Sequence, residues 1–108
     1  MLKLEAMRVF VAVVEAGSLA AAASRIGRTP AAVSMTLKQA EAEVGGAFFA
    51  ADRKVQLTPL GTTVLRNSRR ALEAHDSAID EIGRFARGEE GSIRLASTPS
   101  VARRLLPS

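Results

Sequence analysis

Stop and start signals cut the first 58 residues into short pieces, and that punctuation constrains the fold more than any other feature of the chain. Gly17 is followed at once by Ser18, Gly27 is followed by Thr29-Pro30, and Gly45-Gly46 closes a third helical pattern. Glycine accepts the left-handed backbone that ends a helix. Ser and Thr cap the next one, and proline fits its first position, where a missing N–H does no harm. The spacing therefore predicts three short helices. The first runs to Gly17 with Leu4, Met7, Phe10, Val11 and Val14 on its apolar face, and the second is Leu19 to Ile26. The third starts at Pro30 and carries Val33, Leu37, Ala40 and Val44 as its buried stripe. Phe48 to Leu57 then reads as a small hairpin whose polar tip is Asp52-Arg53-Lys54.

Thr58-Pro59 repeats the cap-plus-proline signature and opens a run that continues to about Arg87, with Gly88 as its stop. These 29 residues span about 43 Å as a helix. Leu65, Leu72, Ile79 and Ala86 recur every seven residues, with Ser68, His75 and Ile82 between them and Val64, Ala71, Ala78 and Phe85 beside them. So long a helix finds too little partner surface within 108 residues. The heptad spacing predicts pairing with the same helix of a second chain, through Leu65, Leu72, Ile79 and Ile82. His75 on that seam reads as a packing or register residue ahead of a proton switch.

The expected fold class is mainly α: a winged helix-turn-helix with a small β-hairpin wing and a long C-terminal dimerisation helix. Residues 1–58 form the winged domain, 59–87 the linker and dimerisation helix, and 88–108 a hinge and the first strand of a further, truncated domain.

Composition removes most chemistry. The chain has no Cys, which excludes a disulfide framework, a zinc finger and a thiol nucleophile. One His leaves no pair for a metal, and no Ser-His-Asp arrangement is visible. No enzyme, no cofactor and no metal are expected. Apolar residues make up 47% of the chain, much of it alanine, with four Phe as the only aromatics, which favours close-packed helices over a sheet sandwich. No run approaches the ~18 apolar residues of a membrane span, and Lys3, Glu5, Arg8 and Glu15 interrupt any secretory core. A cytoplasmic protein is expected. The net charge of +4, with seven basic against five acidic residues in 1–58, admits a polyanion partner without demanding one.

Two short helices joined by a tight turn, then a hairpin, describe a winged helix-turn-helix. Ala23 lets the helices approach, Gly27 permits the sharp turn, and the β-branched Val33 locks the pair. Such a pair offers the first turns of its second helix to a DNA major groove. The stretches Phe10 to Ala23, Thr29 to Ser34, Phe48-Phe49 and Val55 to Gly61 resemble, in order and spacing, the winged helix-turn-helix of LysR-type transcriptional regulators. The tail Gly91 to Ser100 is similar to the entry into that family's effector-binding domain. The resemblance implies a homodimer, higher oligomers being open to the complete protein, that binds sequence-specific double-stranded DNA. It also implies a small-molecule effector that only the complete protein accommodates, near Thr98 and Ser100.

The expected DNA-binding set is Thr29, Pro30, Ala31, Ser34, Met35 and Lys38 on the third helix, about Pro30 to Val44, with Arg53 and Lys54 at the wing tip. A merely solvated face is the bland alternative. Met35 and the alanines suit thymine methyl groups better than open water. Two departures from the family pattern stand out: Met35 follows the recognition-helix Ser34 where a basic residue is common, and Ala51 stands where an Arg often follows the Phe pair. Arg66, Arg69 and Arg70 read equally well as a charged face paired with Glu73 and its neighbours. A non-catalytic dimerisation or adaptor module built on the long helix is the alternative function.

Overall fold

The computed structural model describes residues 1–50 and 56–88. It is mainly helical: α1 (Leu4–Ala16), α2 (Leu19–Ile26), α3 (Pro30–Val44) and α4 (Pro59–Ala86). Met1–Leu72 forms one compact unit, and from Glu73 the chain belongs to a second. The wing tip, with Arg53 and Lys54, and everything from residue 89 on, with Thr98 and Ser100, lie outside the described residues.

The caps fall where the punctuation places them. The Ala21 N–H donates to Ser18 Oγ at 3.0 Å and the Ala32 N–H to Thr29 Oγ1 at 3.1 Å. Between α2 and α3, Gly27 adopts φ 74°, and the N–H groups of Gly27 and Arg28 both donate to the Ala23 carbonyl. That positive φ turns the chain sharply enough for α3 to pack on α2 and α1.

The buried face of α1 differs from the expected stripe. Ala6, Val9, Phe10, Ala12 and Val13 are buried, while Leu4, Met7, Val11 and Val14 are only half-buried. Both α2 and α3 pack on α1, so its covered surface is wider than one helical stripe, and alanine fills it where backbones come close. On α2 the buried pair is Ala22 and Ala23. On α3 Val33, Leu37 and Ala40 are buried as expected, but Val44 is 37% exposed. It occupies the last helical position before Gly45 and contributes little to the core.

Phe48 joins α3 to the wing and to α4. Its ring is fully buried against Phe10, centroids 4.9 Å apart, and Phe49 meets the same Phe10 edge-on at 5.5 Å. The Phe48 N–H donates to Glu41 Oε2 at 2.7 Å, and its carbonyl accepts from the Thr58 N–H at 3.0 Å. Beyond it the stem of the wing closes through one antiparallel bridge, Phe49 to Leu57, and an Ala50 N–H to Gln56 carbonyl bond of 2.7 Å.

One hydroxyl starts α4. Thr58 Oγ1 accepts the Gly61 N–H at 2.9 Å and donates to the Ala47 carbonyl at 2.7 Å. Gly61 lies so close to Phe48 that a Cβ built on it would fall 2.0 Å from the Phe48 carbonyl oxygen. Further along α4, Val64 and Ser68 are buried, and Ser68 Oγ has no hydrogen-bond partner. Leu65, expected in a seam between chains, is half-buried against the core of its own chain.

Gly61→Ala is expected to force backbone against backbone. Overpacking costs roughly 1–3 kcal/mol, which for a domain this small is a melting-temperature drop of about 4–8 °C per kcal/mol. A thermal melt within a degree or two of the parent chain would show that the close approach is not a constraint.

Candidate nucleic-acid interface

The helix-turn-helix aims one face of α3 outward. Thr29, Pro30, Ala31, Met35 and Lys38 are exposed, and Ser34 is half-buried. Met35 is 71% exposed, the highest among the large apolar side chains of the four helices. Ala31, Met35 and Lys38 follow an i, i+4, i+7 spacing and so share one side of the helix, opposite the buried Val33–Leu37–Ala40 stripe. The six expected α3 residues are thus brought to one end of one helix. Arg53 and Lys54 lie outside the described residues.

Ser34 and Lys38 also line a groove of about 410 Å³ whose other walls include Leu19 and Ala20 at the start of α2 and Phe49 at the wing stem. The first turn of α2, the middle of α3 and the base of the wing therefore border one concave strip. Helix N-termini carry unpaired N–H groups and a positive dipole end. One of them here, that of α2 capped by Ser18, adjoins that strip.

Several charges of this unit are occupied within the fold. Arg28 pairs with Glu5, and Arg69 pairs with Glu15 of α1 at 3.6 Å instead of with Glu73. Glu41 is tied to the Phe48 N–H. This last contact was not anticipated from the sequence. Its signal was present: an acidic residue in the last turn of a helix opposes the dipole and needs another task.

On α4, Leu72 and His75 are half-buried. Ile79, Ile82 and Phe85 are 54%, 63% and 66% exposed and succeed one another at three-residue steps. His75 Nδ1 lies 3.5 Å from Asp76 Oδ1, and Arg84 pairs with Asp80 one turn before it. Among the described residues, no helix is long and apolar enough to cross a membrane, and no group of acidic and His side chains could hold a metal.

Residues 4–62 match the family described as bacterial regulatory helix-turn-helix protein, lysR family. An uncharacterized HTH-type transcriptional regulator of Mycobacterium tuberculosis is 34% identical over 105 residues, covering 96% of this chain and 34% of its own length. The chain thus spans about a third of the length of the curated relatives it matches. Among solved structures, the BenM DNA-binding domain in its complex with catB site 1 DNA superimposes with a TM-score of 0.78 at 25% identity, over 83% of this chain and 98% of that one. Full-length CbnR complexed with its target DNA gives a TM-score of 0.71 at 30% identity, over 81% of this chain and 29% of that one. Family match, ordered motifs and helix-turn-helix geometry agree, and the chain belongs to the LysR family of bacterial regulatory helix-turn-helix proteins.

Proposed function

We propose that this chain is the DNA-binding part of a transcriptional regulator that acts as a homodimer. The first turns of α3 enter the major groove of each half-site, and Arg53 and Lys54 at the wing tip contact phosphates. The observation that carries the reading is the outward face of α3, where Pro30, Ala31 and Met35 stay out of the core on a scaffold like that of the BenM domain bound to DNA. Thr29, Ser34 and Lys38 supply polar contacts beside them. The first turn of α2 adjoins the same strip and suits the phosphate contacts that helix N-termini make.

The partner helix in the homodimer is α4 of a second copy. Leu72, Ile79 and Ile82 form the seam, joined by Phe85, and Leu65 serves its own core. An exposed apolar run of this kind on a helix needs a partner surface. Residues 1–58 act as the winged domain and 59–87 as the dimerisation helix. Residues 88–108 lead into an effector-binding domain, where Thr98 and Ser100 would meet a small molecule in the complete protein.

Binding to random duplex DNA at two salt concentrations tests the reading. Neutralised phosphates make affinity fall steeply with salt, and that fall is expected here. No binding at low salt would favour a dimerisation or adaptor module built on α4.

Two variants probe the parts. Arg53→Ala is expected to weaken binding almost evenly across sequences and to lower the salt slope by about one. A loss confined to one operator would contradict the phosphate role. Ile79→Asp is expected to convert the dimer to monomer in sedimentation while the melt of the winged domain is unchanged, because Ile79 is exposed in the single chain. An unaltered dimer would contradict the seam.

A further inference from the structure

The outward face of α3 carries a chemistry that deepens the proposed function and rests on it. A major-groove reader commonly uses Arg or Lys on guanine and Asn or Gln on adenine. Over the first two turns of α3 this chain has none of these. Pro30, Ala31 and Met35 are its exposed side chains there, and none carries a hydrogen-bonding group. Thr29 Oγ1 accepts from the Ala32 N–H as the helix cap and keeps its O–H as a donor at the edge of the face, and Ser34 is half-buried at the groove beside Leu37. Arg28, just before the helix, is paired with Glu5. Lys38 is the first cation on the face, at the start of the third turn, and Gln39 comes next. Recognition helices read bases with their N-terminal residues, and here that part is apolar.

An exposed methionine standing one helical turn beyond an exposed alanine is a surface that only another apolar group covers favourably. On a base edge in the major groove, the apolar group is the C5-methyl of thymine. The thioether is flexible and polarizable, so it adapts to a methyl without needing one fixed geometry. We infer that Met35, with Ala31 beside it, reads thymine methyl groups, so that each half-site is selected for T·A pairs by apolar contact with Ser34 and Lys38 as polar neighbours. Met35 is thereby a specificity-determining residue.

The test removes one methyl at a time. A duplex is selected from a random pool with the full 108-residue chain, and each thymine in it is replaced in turn by deoxyuridine, which keeps every hydrogen-bonding position of the base pair. At one or two positions per half-site, affinity is expected to fall about fourfold, the worth of one buried methyl. Met35→Ala is expected to abolish that sensitivity and Met35→Leu to retain it, both with the parent melting temperature because the side chain is exposed. Uracil-containing duplexes that bind as tightly as the thymine duplex would overturn the inference while leaving duplex binding intact. So would a Met35→Ala chain that is as sensitive to uracil as the parent. A pool from which no duplex is enriched would overturn the duplex-binding reading and this inference with it.

Discussion

The backbone of Phe48 is held from several directions, and the geometry of the winged unit depends on that hold. Its N–H is fixed by the Glu41 carboxylate near the end of α3, and its carbonyl by the Thr58 N–H at the start of α4. Its ring fills the core against Phe10, and Gly61 of α4 passes so close that no side chain fits between. One residue thereby ties α1, α3, the stem of the wing and the entry to α4. Backbone groups buried without partners are costly, so the carboxylate and the Thr58 amide stabilise this join alongside the aromatic packing. The Thr58 hydroxyl adds a tie to Ala47, which keeps the loop before Phe48 in register with the α4 cap.

A rigid join there frees the outward face of α3 from any structural duty. Core packing is carried by Val33, Leu37 and Ala40 on the opposite side, and Glu41 serves the join. What remains at the first turns is small or apolar and uncovered, and its position is set by the turn at Gly27 and the cap at Thr29. A reader built on a helix held this way presents side chains more precisely than one on a loop. The proposed duplex contacts use that precision. The groove bordered by the start of α2 and the base of the wing runs along the flank of the outward face of α3.

Local signals carried most of the fold. The Gly17-Ser18, Gly27 to Pro30, Gly45 and Thr58-Pro59 signatures each bound a helix within a residue of its observed end, because caps act through their own neighbours in the chain. What periodicity could not tell was which side of each element the tertiary structure covers. The wider burial of α1, the exposure of Val44 and the inward placing of Leu65 all depend on what packs alongside. Gly61 was legible as part of a motif but not as a contact, since its role lies in an approach to Phe48 thirteen residues earlier. Within the candidate site, Thr29, Pro30, Ala31, Met35 and Lys38 are exposed as the spacing implied, whereas Ser34 is half-buried. Met35, set on the outward face by its spacing from Val33 and Leu37, is 71% exposed.

A titration of the isotope-labelled chain with a selected duplex, read as amide shift changes, tests most directly that the α3 face is the one that meets DNA. Changes concentrated at Ser18 to Ala20 and Thr29 to Lys38, with the amides of buried Val9, Val13 and Phe48 nearly still, are the predicted result. Changes confined to Ile79 through Phe85, or spread evenly with none favouring α3, would contradict it.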